Sequence, residues 1–230
     1  MNELATYSLQ EGIATITLAN GKVNAVSPDL IASVHRALDQ AEADKAVVIL
    51  TGQSGILSAG FDLKVMGTNP QNAINLVADG FTLSCRLLAH PTPVIIACTG
   101  HAMAMGALLL LSADYRIGVE GPFNIGLNEV KIGMTMPDTG IALARDRLAT
   151  NVFQRAVCNS EMFTPQDAIA AGFLDRVVPV EQLTATAFEM ATHLQKLNMT
   201  AHKNTKHKLR KGLFAAMESG IAADRASVAT

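Results

Sequence analysis

The run Ala97-Cys98-Thr99-Gly100-His101-Ala102-Met103-Ala104-Met105-Gly106-Ala107-Leu108 decides how this chain folds. It reads as the end of a buried strand, a small-residue turn and the start of an apolar helix. A short extended return follows, reaching through Glu129 to Asp138 and carrying two acids. A helix entered from such a turn leaves its first N–H groups without intrahelical acceptors, aimed at whatever anion lies in front of them. The longest unbroken apolar run, 102–111, is too short to span a bilayer and reads as a buried helix.

Upstream, 7–10 and 13–18 are short β-prone segments separated by Glu11-Gly12, a hairpin signature. Ser27-Pro28 supplies a cap and a first-turn proline for a helix over 29–43, whose Leu30, Ile31, Val34, Leu38 and Ala41 share one side. Residues 46–50 and 94–98 are nearly continuous apolar strands, the pattern of strands covered on both faces. Between them, Gly60 permits a tight strand-to-helix turn, and a long helix over 71–89 ends at His90-Pro91-Thr92-Pro93. Downstream, 115–119 reads as a strand and 123–125 as a short one. Asp138 can cap a helix over 139–148, and Thr164-Pro165-Gln166-Asp167 with Gly172 brackets another. A last strand at 175–178 precedes helices over 179–197 and 200–226. The alternation predicts an α/β fold with right-handed crossovers, drawn most simply as one open sheet. The chain divides into a core over 1–198 and a C-terminal helical segment over 199–230.

About half of the 230 residues are apolar and the formal net charge is −2, a balance that points away from nucleic acid and membrane surfaces. The odd, scattered Cys85, Cys98 and Cys158 read as reduced thiols, and the histidines show no metal-ligand spacing. Residues 1–10 lack a basic start followed by an apolar run, so a cytoplasmic location without a secretory leader is expected.

Four segments in order, Ser58-Ala59-Gly60-Phe61-Asp62-Leu63, Gly100-His101-Ala102-Met103-Ala104-Met105-Gly106, Ala113-Asp114-Tyr115-Arg116-Ile117 and the stretch 168–183, resemble the crotonase superfamily of enoyl-CoA hydratases and isomerases. Ile125-Gly126-Leu127-Asn128-Glu129-Val130-Lys131-Ile132-Gly133 is similar to its Δ3,Δ2-enoyl-CoA isomerase branch. The resemblance implies a crotonase-like spiral of stacked ββα units with a C-terminal helical trimerisation layer, assembled as a homotrimer or a dimer of trimers. It implies an acyl-CoA substrate and no further cofactor. Carried over position by position, it makes the backbone N–H groups of Phe61 and Met105 an oxyanion hole and Glu129 the principal catalytic acid–base group. Lys22, Leu57, Ala59, Phe61, Lys64, Gly106 and Leu108 become substrate- or CoA-binding positions.

One departure bears on the reaction. Hydratases of the superfamily hold water with two glutamates, and the second position here is Leu108, which can neither orient water nor donate a proton. A 1,3-proton shift needs only one base, so isomerisation of 3-enoyl-CoA to trans-2-enoyl-CoA is the expected activity. By the resemblance Asp138 matches an acid used for proton transfer in related branches and is a second-rank catalytic candidate, while as a bare sequence feature it reads first as a helix cap. With it, Glu129 would support hydration; a non-catalytic acyl-CoA binder is the third alternative. The bare sequence also allows Glu129 to be a surface carboxylate bonded to an amide, Lys64 to be an ordinary exposed lysine, and His101 to be structural. The basic cluster Lys203, Lys206, Lys208, Arg210 and Lys211 reads as a solvated face, from which one residue could reach a CoA phosphate.

Overall fold

The computed structural model describes residues 3–226. An antiparallel hairpin, β1 (Ala5–Gln10) and β2 (Ile13–Leu18), leads into α1 (Pro28–Ala43), where the Ser27 hydroxyl accepts the Leu30 N–H and Pro28 occupies the first turn. The chain then makes successive turns of strand, strand and helix. In the first, β3 (Val47–Thr51) and β4 (Gly55–Ser58) precede the short α2 (Leu63–Met66) and the long α3 (Pro70–Ala89). In the second, β5 (Val94–Cys98) and β6 (Gly100–Met103) precede α4 (Met105–Leu111). In the third, β7 (Tyr115–Val119) and β8 (Ile125–Gly126) lead to α5 (Asp138–Arg147). Then come α6 (Thr150–Cys158), α7 (Pro165–Ala171), β9 (Arg176–Val178), α8 (Leu183–Leu194), α9 (Met199–Leu209) and α10 (Lys211–Ala226).

The first strand of each turn enters a six-stranded sheet ordered β1-β2-β3-β5-β7-β9, and the second strand enters a separate sheet ordered β4-β6-β8. All pairings except that of the hairpin are parallel. The single open sheet suggested by the alternation alone is thereby corrected, and the spiral implied by the family resemblance is what forms. Gly100–Met103, read from sequence as a turn, is a strand that pairs with both β4 and β8. The helix α6 has no counterpart in the sequence reading, and the segment expected as one helix over 200–226 breaks at Arg210.

Side-chain alternation along the large sheet explains why its strands are apolar throughout. Ile16, Val48, Leu50, Val94 and Ile96 face the side covered by α1, α3 and α4, whose Leu38, Leu87 and Leu110 join them in one core. Ile13, Val47, Ile49, Ile95 and Ile117 face the other side, where Leu183, Ala187 and Ala191 of α8 cover them. Leu213 and Met217 of α10 belong to the first core. No helix among the described residues is long and apolar enough to cross a membrane.

Candidate active site

Two turns at the ends of the small sheet come together. Gly60, at φ +106°, follows β4, and a Cβ placed there would stand 2.8 Å from Ala104 Cβ and 3.4 Å from Met105 N. Only the bare backbone of glycine lets the 59–61 turn press against the start of α4 in this way. At Gly106 a Cβ would lie 2.3 Å from the Ser58 carbonyl oxygen, so that glycine serves the same close approach from the helix side.

The amides around this junction have directions that can be read from their neighbours. Val26 donates its N–H to the Gly60 carbonyl (2.8 Å), and the Val26 carbonyl accepts the Asp62 N–H (3.0 Å). Extended backbone alternates its N–H directions, so the intervening Phe61 N–H points away from Val26. Ala104 donates to the Gly126 carbonyl (3.0 Å) and holds a backbone geometry of φ +49°, ψ −124°. Met105 opens α4, leaving its N–H without an acceptor inside the helix. The two donors named from the motifs therefore sit on adjoining turns.

The bond from Ala104 to Gly126 also fixes the third component. It ties the end of β8 to the helix start, and Leu127-Asn128-Glu129 continues from there into a one-turn 3-10 helix at Val130–Ile132, closed by Gly133 in the left-handed conformation. Glu129 is only 6% exposed. Burial pushes its carboxyl from 4.5 up to about 7, opposed by a bond from its own backbone amide, and its Oε2 has no hydrogen-bond partner. Oδ1 of the neighbouring Asn128 is likewise buried and unpartnered. An acid titrating near neutrality with an uncommitted oxygen has the properties of a proton-transfer group.

A cavity of about 470 Å³ lies in front of these groups. Ala59, Gly60, Phe61, Ala104, Asn128 and Glu129 line it, and Val23, Leu63, Met66, Ile132 and Met134 supply apolar walls. Lys22 and Lys64 stand at its exposed edge. The other carboxylate of the lining, Asp62, is occupied as the cap of α2, accepting the Lys64 N–H at 2.9 Å. The 19–26 loop that carries Lys22 and Val23 is anchored by Asn24, whose side chain donates to the carbonyls of Leu18 and Leu57. Sequence reasoning passed over Asn24 and gave Asn128 no role beyond its place in the Glu129 motif; the run Ala19-Asn20-Gly21-Lys22-Val23-Asn24 signalled a turn without showing which asparagine would be buried.

Several predicted positions lie elsewhere. Leu57, Met105, Gly106 and Leu108 are enclosed in the core and are not among the cavity's lining residues, although Ala104, which directly precedes the Met105 amide, is. Asp138 is exposed and also outside the lining; it is the first residue of α5, not its cap, and its amide donates to Asp224 Oδ1 at 3.0 Å. His101 accepts the Asn124 N–H through Nδ1 (2.9 Å) and stacks edge-on against Phe123, a structural engagement. In the basic cluster, Lys206 and Arg210 are buried and ion-paired with Asp114, which corrects the reading of the cluster as a solvated face. Among the described residues no cluster of His, Cys, Asp or Glu is arranged to hold a metal ion.

Known proteins share this fold. A crystal structure of an enoyl-CoA hydratase/isomerase family protein from Pseudomonas syringae superposes with a TM-score of 0.96, at 61% identity over 96% of each chain. A probable enoyl-CoA hydratase from Mycobacterium tuberculosis matches at a TM-score of 0.95 and 37% identity, covering 98% of this chain and 96% of that one. The mitochondrial enoyl-CoA delta isomerase 1 of Mus musculus is 31% identical over 205 residues, 87% of this chain and 71% of the relative. The family model for enoyl-CoA hydratase/isomerase matches residues 8–229. With its motifs in order, its two-sheet spiral and a match along nearly its whole length, the chain belongs to the enoyl-CoA hydratase/isomerase family, within the crotonase superfamily.

Proposed function

We propose that the protein moves the double bond of a 3-enoyl-CoA to give the trans-2-enoyl-CoA. The thioester oxygen accepts the Phe61 and Met105 N–H groups. The Glu129 carboxylate removes a proton from C2, and the negative charge spreads from the thioester oxygen to C4 as a dienolate. The same carboxyl then returns the proton at C4, leaving the double bond between C2 and C3. Each backbone donor contributes on the order of 3 kcal/mol to stabilising the oxyanion. The exposed Lys22 and Lys64 meet the CoA phosphates at the cavity mouth, and the chain works as a trimer or a dimer of trimers.

The observation that carries this reading is the single uncommitted carboxylate of the cavity, Glu129, held near neutrality and lining the same cavity as Phe61 and Ala104. Asp138 lies outside the cavity lining and Leu108 is apolar and enclosed, so one base is what the geometry offers. Hydration is the second reading. It is favoured by the unpartnered Asn128 Oδ1, a group able to hold a water beside Glu129.

The test is a parallel assay on trans-3-hexenoyl-CoA and crotonyl-CoA, with Glu129→Gln beside the wild type. Isomerisation creates the conjugated enoyl absorbance and hydration destroys it. Growth of absorbance with the first substrate, reduced roughly 10²–10⁴-fold in the variant, is the expected result. Rapid loss with the second would move the assignment to hydration, and silence on both would leave a binder.

A further inference from the structure

Phe61 carries more than an amide. Its ring leaves the 59–61 turn toward α3, where a Cβ on Gly80 would lie 2.5 Å from Phe61 Cε1, 2.7 Å from Cζ and 3.4 Å from Met105 Cε. The ring therefore occupies the hollow that Gly80 leaves in the helix face. Met105, fully buried, packs at the same spot. On its near side the ring lines the cavity and is partly exposed to it. Lys22 and Lys64, both exposed, line the same cavity. A thioester held at the Phe61 and Met105 amides, with its CoA portion at the exposed lysines, has its first acyl carbons beside Phe61 and the remaining chain against the apolar lining to which Phe61 belongs.

We propose that the Phe61 ring, seated against Gly80, is the end wall of the acyl site and restricts the protein to short acyl chains. This rests on the acyl-CoA reading of the cavity given above. The same residue then supplies an oxyanion donor through its backbone and a length limit through its side chain, and the two roles separate on substitution because the N–H survives.

Two substitutions move the wall in opposite directions. Phe61→Ala removes the ring and joins its volume to the cavity, while leaving the amide in place. Gly80→Ala puts a methyl where the ring now lies, and with Met105 already packed at that spot the ring is displaced toward the cavity. Alanine is favoured over glycine within a helix, so this second variant keeps α3 intact. The experiment compares kcat/KM on trans-3-hexenoyl-CoA and trans-3-dodecenoyl-CoA for all three proteins, with calorimetric binding of hexanoyl-CoA and dodecanoyl-CoA alongside. A methylene accepted or refused by an apolar pocket changes specificity about tenfold or more. The long-to-short ratio should therefore rise at least tenfold in Phe61→Ala and fall in Gly80→Ala, in turnover and in binding alike. Ratios that stay within twofold in both variants overturn the wall. Because binding reads the wall without any reaction, a protein that binds with the expected ratios but does not isomerise refutes the proposed activity and leaves the wall standing.

Discussion

Glu129 is stable where it sits only at some expense to the fold. Its folded carboxyl holds a proton up to about pH 7, whereas the unfolded chain releases it near 4.5. Between those values the folded state binds more protons, so this residue's contribution to stability declines as pH rises through the window and is fully unfavourable above it. Two outcomes follow for the same atom. The proton-accepting form is the one that reacts, so kcat/KM on trans-3-hexenoyl-CoA should fall tenfold per pH unit below about 7. Glu129→Gln, which is never charged, should be more stable than the wild type at pH 8, by about 1–3 kcal/mol, and equal to it near pH 4.5. Thermal melts at the two pH values check this; a variant less stable at pH 8 would show that the carboxylate is solvated. The identity of this residue was legible through its Asn-Glu motif, but its orphaned oxygen was not, because the cavity it lines is completed by the 19–26 loop and the 59–64 turn, which arrive from elsewhere in the chain. Asp138, nine positions on, was read with it and is turned outward by the start of α5.

At the scale of elements, what could be read locally was read well, and what depended on distant pairing was not. Ser27 with Pro28, and Thr164 with Pro165 and Gly172, are local devices, and each bounds its helix as expected. By contrast β6 is four residues of Gly, His, Ala and Met with little β preference of their own; it becomes a strand because β4 and β8 flank it. The turn after it shows how that placement is used. Ala104 holds φ +49° and ψ −124°, a conformation of primed turns in which glycine is the usual occupant, and its carbonyl receives the Ala107 and Leu108 N–H groups that begin α4. Strain of about 1–3 kcal/mol is held there to aim the Met105 amide. Ala104→Gly should relieve it and raise stability by about 0.5–1 kcal/mol, whereas Ala104→Val should lower stability by more than about 2 kcal/mol, since a branched side chain at that φ also presses on Gly60. Denaturant midpoints of the pair decide it: if both variants move together, the turn is not strained.

Across the whole molecule, one carboxylate fastens the C-terminal helices to the spiral. Asp114, between α4 and β7, accepts the Val94 N–H (2.8 Å) and Lys206 Nζ (2.6 Å) on Oδ2, and Arg210 on Oδ1 (2.8 Å). Lys206 donates further to the Thr92 carbonyl and Arg210 to that of Leu88, so α9 and the break before α10 are tied to both ends of the loop joining α3 to β5. Nothing in the sequence marks this, because the partners are 92 and 96 residues apart and the lysine and arginine lie in a run that is otherwise exposed. Burial alone would raise the Asp114 carboxyl, but Lys206 and then Arg210 outweigh it and hold it below its usual value. Asp114→Asn keeps the shape and removes the charge, leaving two buried cations facing an amide. Breaking a buried pair from one side costs about 3–5 kcal/mol, and for a chain of this size each kcal/mol moves the melting temperature by roughly 2–4 °C, so the variant should melt about 6–20 °C lower at pH 7. A carboxyl whose folded pKa is depressed stabilises above its unfolded value and loses that contribution as pH falls through the folded one. The gap between wild type and Asp114→Asn should therefore be widest near neutrality and close in strong acid. A gap that did not narrow on acidification would assign the loss to misplaced amide hydrogen bonds, and equal melting at pH 7 would mean that α9 is held by its apolar contacts alone.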